Sequence, residues 1–323
     1  MKDQLNKKPM FYIGNIPIEN DVIMSPMDGI TDHPYRILAK KFFSGMLYSE
    51  FIDAKSLLDN DPEALKKIYF SENEHPIAIQ LLSEDVDLLL SSAKKAQAYK
   101  PDFIDINMGC SAKSISNRGA GVGLMKSPIK ISKIFNLLTT SFDIPIIGKI
   151  RLGWDDENKN YLDIAKIIED NGGSLIAVHG RTRKQKYQGT SNWDSIAQIK
   201  QSVSIPVMGN GDIENVDDID KMINYTKCDG VLVGRASIGN PWIFSRQNKS
   251  NISNKSLLET IKVHLNLMIK FYDPFEGIIL FRKHLKRYLS DIKIEKFNKN
   301  IIFTCTDYNK LIEEVEKLLI NNK

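Results

Sequence analysis

Eight short runs of β-branched and other apolar residues recur between residues 22 and 233, separated by stretches with helical periodicity. This repetition constrains the fold more than any other feature of the chain, because strands that alternate with helices run parallel and share one sheet. The runs are Val22–Ser25, Met46–Ser49, Ile77–Leu81, Phe103–Ile106, Pro145–Ile150, Leu175–Val178, Pro206–Met208 and Gly230–Val233. Eight βα units in this span predict a (β/α)8 TIM barrel, an α/β fold whose sites lie where the strands end. The polar residues obey that rule. Pro26-Met27-Asp28 follows the first run, Glu50 the second, Gln80 lies within the third, and Asn107-Met108-Gly109-Cys110 follows the fourth. Lys149 and Arg151 mark the fifth, His179-Gly180-Arg181 the sixth, Asn210-Gly211-Asp212 the seventh and Gly234-Arg235 the eighth. A doubly wound open sheet would gather such residues at one or two crevices instead of around a ring.

Past Pro241-Trp242 the character changes. The polar stretch Ser245–Lys255 reads as a linker, and apolar residues at 257, 258, 261, 265 and 268, then at 311, 315, 318 and 319, carry helical spacing. Two domains are expected: a catalytic barrel over 1–244 and a smaller C-terminal helical domain over 245–323. With 323 residues and a hydrophobic fraction of 42%, the chain can fill both cores. Its charge is unevenly divided: residues 245–323 hold 15 Lys/Arg against 9 Asp/Glu, the rest 29 against 31. Within Glu276–Ser290, Ile278, Phe281, Leu285, Tyr288 and Leu289 share one helical face. Arg282, Lys283, Lys286 and Arg287 occupy another, a basic stripe suited either to phosphates or simply to water. The first twenty residues, with Lys2, Lys7 and Lys8, lack the apolar core of a signal peptide, and no later run nears the ~18 apolar residues of a spanning helix. A cytoplasmic protein without a membrane segment is expected. Three cysteines, Cys110, Cys228 and Cys305, without CxxC or Cys/His spacing, point to neither disulfides nor a metal site.

At the seventh and eighth runs, backbone amides beside Gly211 and Gly234, with Arg235 as a cation, suit the phosphate of a cofactor, although short glycine turns also occur for structural reasons alone. Lys149, ending a buried strand, directs a positive charge into the barrel mouth, where an unpaired charge is costly. Its partner is either an internal carboxylate or an anionic ligand. A reduced flavin, negative at its N1/O2 edge, qualifies, and Gln80 can donate to and accept from an amide-like ring edge. His179 is placed to meet the same ligand. Gly119-Ala120-Gly121-Val122-Gly123 lacks GxGxxG spacing and reads as a tight turn. His33, His75, His264 and His284 fall on loops or helices without partners at useful spacing and read as non-catalytic; Cys228 and Cys305 read as small buried residues.

Cys110 decides the reaction type. A nucleophilic thiolate needs a neighbouring base, whereas an unperturbed thiol, with a pKa of about 8.5, stays protonated at neutral pH and can donate. Hydride addition to one carbon of a double bond requires a proton at the other. A thiol beside a flavin therefore predicts a reductase for an activated C=C bond, such as C5=C6 of uracil.

The ordered set of motifs resembles the tRNA-dihydrouridine synthase family, and its bacterial B-type branch more than any other, along nearly the whole chain. The resemblance is carried by Ser25-Pro26-Met27-Asp28-Gly29-Ile30-Thr31-Asp32 with Pro34 and Arg36, and by Ser49-Glu50, Gln80-Leu81, Asn107-Met108-Gly109-Cys110 and Lys149-Ile150-Arg151. His179-Gly180-Arg181-Thr182, Asn210-Gly211-Asp212, Gly234-Arg235 and the helix at Arg282-Lys283-His284 complete it. It implies an FMN-containing barrel, reduced by NADPH, that passes hydride from flavin N5 to C6 of a tRNA uridine while Cys110 protonates C5. It further implies that Pro26, Met27 and Asp28 line the flavin, that Gln80, Lys149 and His179 contact it, and that Asn210, Gly211, Asp212, Gly234 and Arg235 hold its phosphate end. Asn107 would bind the uracil, with Lys113, Arg151, Arg181, Arg183 and the stripe Arg282, Lys283, Lys286 and Arg287 toward the RNA. No metal or obligate protein partner is implied. Two departures stand out: Ser111 follows the cysteine where the family has proline, and Ser114 stands where lysine is common. Two other readings fit parts of the pattern, a small-molecule flavin oxidoreductase of the dihydroorotate dehydrogenase type and a non-catalytic RNA-binding or regulatory protein.

Overall fold

The computed structural model describes residues 8–321; the first seven residues, Lys2 and Lys7 among them, and the last two lie outside the described part. An antiparallel hairpin, β1 (Phe11–Ile13) and β2 (Ile16–Ile18), precedes the barrel. The barrel strands are β3 (Val22–Met24), β4 (Leu47–Tyr48) continued by β5 (Ile52–Asp53), β6 (Ile77–Leu82), β7 (Phe103–Met108), β8 (Ile146–Ile150), β9 (Ile176–His179), β10 (Val207–Asn210) and β11 (Gly230–Val233). They pair in parallel in the order β3-β11-β10-β9-β8-β7-β6-β4. All eight expected runs are present, and the hairpin and β5 are additions that the sequence did not announce. No ladder joins β3 to β4 among the described residues. Gly45 N–H donates to Val22 O at 3.0 Å, Met24 N–H donates to Ser44 Oγ at 3.0 Å, and the Ser44 hydroxyl donates to Met46 O at 2.8 Å. A serine side chain thus closes the seam.

The period of two along a strand separates two cores. Ile23, Met46, Tyr48, Ala78, Phe103, Ile147, Ala177, Met208 and Leu232 fill the barrel interior, and Ile13 and Ile18 of the hairpin join them. Gly14 of the hairpin faces Pro145, just before β8, so the hairpin covers the N-terminal end of the strands. Alternate residues such as Ile79, Ile104, Ile150, Val178 and Val231 point outward into a second apolar layer under the helices. Two residues further along the inward faces come Gln80, Asp105 and then Asn107, Lys149, His179 and Asn210. The polar mouth is therefore the top of the same face whose lower part is oily.

The helices are α1 (His33–Lys41), α2 (Ala54–Leu58), α3 (Pro62–Ile68), α4 (Val86–Gln97), α5 (Lys113–Ser116), α6 (Pro128–Ser141) and α7 (Tyr161–Asp170). They continue with α8 (Trp193–Ser202), α9 (Val216–Thr226), α10 (Asn254–Phe271), α11 (Pro274–Tyr288), α12 (Lys296–Thr304) and α13 (Tyr308–Asn321). Side-chain oxygens at their starts fix the boundaries: Asp32 accepts from Tyr35 N–H, Asp85 from Leu88 N–H, Asn215 from Asp218 N–H and Asp273 from Glu276 N–H. Helix α10 packs between α11 and α1, so the C-terminal helices continue the outer core. None of the described helices is long and apolar enough to cross a membrane.

Several expectations change here. The stretch read as a linker carries short 3₁₀ turns at Pro241–Ser245 and Lys249–Asn251, and Arg246 pairs with Asp21 at 2.8 Å and also with Asp220, anchoring it to the barrel. Gly119–Gly123 is no free turn but leads into a buried 3₁₀ helix, Gly121–Lys126. Cys228 is buried, but Cys305 is only partly so, because it follows the end of α12. Three of the four histidines away from the mouth have polar partners, supplied by segments distant in sequence, while neither ring nitrogen of buried His284 has a hydrogen-bond partner among the described residues. His33 Nδ1 lies 2.7 Å from Glu74, His75 Nδ1 lies 2.6 Å from Asp102, and His264 Nδ1 lies 3.2 Å from the Tyr288 hydroxyl. His264 and His284 pack edge to face, 4.6 Å between ring centres, against Tyr35 of α1, a buried aromatic joint between barrel and C-terminal helices.

Candidate active site

A cavity of about 850 Å³ opens where the barrel strands end, within the size range of ligand pockets. Its lining includes every residue expected around the flavin, from Pro26, Met27 and Asp28 through Gln80, Lys149 and His179 to Asn210, Gly211, Asp212, Gly234 and Arg235. The loop after β3 is shaped by its own bonds: Met27 N–H donates to Thr31 Oγ1 at 3.0 Å, Gly29 N–H donates to buried Glu50, and Lys67 pairs with Asp28 at 2.6 Å.

Hydrogen-bond capacity decides what the inward side chains have left to offer. Gln80 Nε2 donates to Asp105 at 2.6 Å and its Oε1 accepts from Asn107 Nδ2 at 2.7 Å, leaving one N–H and one lone pair for a ligand. Asn107 Oδ1 accepts from Gly109 N–H at 3.1 Å and Cys110 N–H at 2.9 Å, so only a single N–H remains for a substrate. Asn210 Nδ2 donates to Leu232 O at 2.8 Å, which turns its Oδ1 toward Lys149 Nζ at 3.1 Å. That neutral amide is the only hydrogen-bond partner of Lys149, and no carboxylate forms an ion pair with it among the described residues.

Burial dominates the electrostatics. It lowers the Lys149 ammonium to about 8, helped by the charge of Arg151 and opposed by Asp105. It raises Asp105 to about 8, against the Gln80 hydrogen bond and the charge of Lys149. His179 is pushed well below its usual range by burial and then by Arg151, Lys149, Arg181 and Arg235, so it is a neutral ring near neutral pH. Burial also raises the Cys110 thiol, outweighing the Ala112 N–H and the Arg151 charge, so the sulfur keeps its proton.

Two special backbone positions shape the walls. Gly211 has φ +119, and a Cβ there would stand 2.4 Å from Ser191 Oγ; with Asp212 next at φ +59, successive amides are held out of regular strand geometry. The Asp212 carboxylate is already engaged by Arg181 at 2.7 Å and Ser191 N–H at 2.7 Å, which leaves its backbone N–H as the group for an anion. Gly121, at φ +57, has no room for a Cβ because the Cys110 carbonyl would lie 2.7 Å away; Val122 N–H donates to that carbonyl at 3.1 Å.

Of the residues expected to face RNA, Lys113, Arg151 and Arg287 line the cavity, while Arg183 and Lys286 stand outside it. Arg183 lies over Trp154 at 4.4 Å. Arg151 is buried and donates to the carbonyls of Gly109, Thr182 and Lys186, tying three loops together. Three assignments are corrected. Arg181 is only 2% exposed and is held by Asp212 and the carbonyls of Gln188 and Gly189, so RNA does not reach it. Arg282 caps α12 through the carbonyls of Thr304 and Cys305, and Lys283 donates to Gly29 O, pinning α11 to the loop after β3. Two features were missed: Tyr187, which lines the cavity 61% exposed with Arg235 over its ring at 5.0 Å, and Asp105, fully buried beneath the mouth. Tyr187 carries no sequence signal, but Asp105 does, since Phe103, Asp105 and Asn107 share the inward face of one buried strand. No cluster of three or more His, Cys, Asp or Glu able to hold a metal occurs among the described residues.

A parallel barrel that gathers amides, an unpaired ammonium and a protonated thiol at one end of its strands has the architecture and site of a barrel oxidoreductase. The chain belongs to the dihydrouridine synthase family, whose family model matches residues 23–323. It is 37% identical over 287 residues to tRNA-dihydrouridine synthase B of Pseudomonas putida, covering 86% of this chain and 85% of that one. It is 34% identical over 292 residues to a probable tRNA-dihydrouridine synthase of Rickettsia conorii, covering 88% of each. Among solved structures, histamine dehydrogenase from Rhizobium sp. 4-9 superposes with a TM-score of 0.55 at 11% identity, over 97% of this chain and 64% of that one. TcOYE with pHBA superposes with a TM-score of 0.53 at 14% identity, over 73% of this chain and 90% of that one. These two likenesses concern the fold alone.

Proposed function

We propose that this dihydrouridine synthase acts on uridines in tRNA, with FMN as resident cofactor and NADPH as reductant. The observation that carries the cofactor assignment is Lys149, a buried ammonium with one neutral partner at the floor of an 850 Å³ cavity, a cost that an anionic ligand offsets. A reduced flavin fits: its anionic edge suits Lys149, its amide-like edge suits the free N–H and lone pair of Gln80, and its phosphate suits the Gly211-Asp212 and Gly234-Arg235 amides. Pro26, Met27 and Asp28 would line the same ligand, and His179, neutral, would donate one ring N–H.

When bound, the flavin supplies the hydride that C6 of uracil receives. The chain supplies the matching proton: Cys110 gives its thiol hydrogen to C5, and the resulting thiolate is reprotonated from solvent. Two hydrogens are then added and none is left over. The remaining N–H of Asn107 orients the base, and the three carbonyls on Arg151 fix the loops around the thiol. A base stacked in folded tRNA cannot enter such a mouth, so the target uridine is extruded. We assign residues 1–244 to catalysis and 245–323 to holding the RNA, with Lys113, Arg183, Lys286 and Arg287 as phosphate contacts that place without reading sequence.

The test is nucleoside mass spectrometry of tRNA from dihydrouridine-deficient cells after incubation with the purified protein and NADPH. A gain of two mass units on uridine is expected. No gain from flavin-loaded protein, on tRNA that a known synthase does modify, overturns the substrate and sends the search to free pyrimidines such as orotate.

A further inference from the structure

We propose that Asp105 is a positioning residue that sets the Cys110 loop, acting through Gln80 and Asn107. The proposal builds on the reading of Cys110 as proton donor, although the relay itself is a matter of geometry. Asp105 lies fully buried on the inward face of β7, two residues below Asn107. From it runs an unbroken series of hydrogen bonds: Gln80 Nε2 to Asp105 Oδ2 at 2.6 Å, Asn107 Nδ2 to Gln80 Oε1 at 2.7 Å, and the N–H groups of Gly109 and Cys110 to Asn107 Oδ1 at 3.1 and 2.9 Å.

The backbone N–H end of this relay imposes one orientation on both amides, and Asp105 meets it with an oxygen that accepts. A carboxyl oxygen without a proton can only accept, and a backbone N–H can only donate. Gln80 must therefore turn its NH₂ toward Asp105 and its oxygen toward Asn107, and Asn107 must turn its oxygen toward Cys110. Flipping either amide sets donor against donor or acceptor against acceptor.

Beyond its electrostatic effect on Lys149, the fold gains little else from this acid. Asp105 makes no ion pair among the described residues, its one hydrogen bond there is to Gln80, and its Oδ1 is buried without a partner, as is the nearby Tyr48 hydroxyl. At the level below, Ala78, Phe103, Ile147 and Met208 fill the barrel with apolar atoms. A carboxyl beside such a layer is costly, so its use lies at the other end of the relay. There the loop is gripped on its far side as well, by Val122 N–H on Cys110 O and by Arg151 Nε on Gly109 O at 2.8 Å. Asp105 supplies the grip from within the barrel, which fixes how far Cys110 stands above the floor.

The experiment uses the full-length, flavin-loaded protein with Asp105→Ala and Asp105→Asn. Amide exchange at Gly109 and Cys110 and iodoacetamide alkylation of Cys110 are followed by mass spectrometry of the peptides. Asp105→Ala should speed exchange at both amides about tenfold or more and alkylation about three- to tenfold. It should also lower kcat for tRNA reduction about tenfold with KM within about twofold. Asp105→Asn keeps an oxygen for Gln80 and should restore all three readouts to within about twofold of the wild type. Should Asp105→Ala not fold, Gln80→Leu cuts the relay at its middle link and must give the same faster exchange. Unchanged exchange and alkylation overturn the proposal, and so does an Asp105→Asn variant as impaired as the alanine, which would mean that an accepting oxygen at this place is not what sets the loop. If wild-type protein reduces no tRNA while the exchange pattern holds, the proton-donor reading falls and the relay stands.

Discussion

The barrel mouth and the C-terminal helices each carry cations, and they treat them in opposite ways. At the mouth, Lys149 is buried with a single neutral partner, and its pKa is forced down to about 8. On the helices, Arg282 is committed to two carbonyls and Lys283 to a third, leaving Lys286 and Arg287 turned to solvent. A cation that the fold leaves unpaired at a cost is held for a ligand, whereas one whose donors are satisfied by carbonyls belongs to the fold. A stripe of basic letters does not distinguish the two.

The contrast can be broken most directly at the thiol that shares the mouth with Lys149. Cys110→Ala should keep the flavin and its reduction by NADPH yet slow dihydrouridine formation ~10²–10⁴-fold, the loss expected of a general acid. Single-turnover reduction of tRNA at the wild-type rate would remove the acid from the scheme. Lys149→Met should weaken flavin binding roughly 10- to 100-fold in a titration and raise the Tm of the flavin-free protein by about 2–5 °C at pH 7. The sign follows from linkage: with the folded pKa below the unfolded one, the amine is charged in both states below pH 8 and the full penalty is present. It fades as pH rises from about 8 toward 10.5, so the gain from methionine should shrink over that range. A methionine variant no more stable than wild type would mean that Lys149 has a partner in the fold.

The joint between the two regions sharpens the comparison. Burial lowers His264 to about 3 and His284 well below its usual range, so the unfolded chain takes up protons that the folded one refuses. Stability should be whole above about pH 7 and fall by roughly 1–2 kcal/mol per imidazole between pH 7 and 5, and His264→Phe should remove its share in denaturant titrations. The smallest effect belongs to the exposed pair. Lys286→Ala with Arg287→Ala should weaken tRNA binding about three- to tenfold and reduce the salt slope by about two, with Tm unchanged. Arg282→Ala should do the reverse, lowering Tm and leaving the salt slope alone.

The eight strands and the ring of polar residues at their ends were legible because both follow from periodicity: two along a strand, one functional residue past its end. The hairpin was not, since Phe11–Ile18 is too short and too mixed to show a period. The linker reading failed at Arg246, whose partners Asp21 and Asp220 lie far away in sequence. The same reason explains the misassigned Arg181, Arg282 and Lys283: their carbonyl and carboxylate partners become neighbours only on folding. Asp105 could have been found, because an acid two residues before Asn107 on a buried strand must point the same way, yet a search past the strand ends passes over it.

The apolar side chains that fill the barrel interior, with the hairpin over the N-terminal end of the strands, make the barrel a cup rather than a pipe. On the function proposed above, reductant and RNA must use the same opening, and a nucleotide standing in it blocks the other visitor. The kinetic signature is ping-pong turnover in which each substrate, in excess, inhibits by occupying the door that its counterpart needs. A floor built from Phe103, Ile147 and Met208, backed by Ile13 and Ile18, would in that way dictate the order of events at the open end of the barrel.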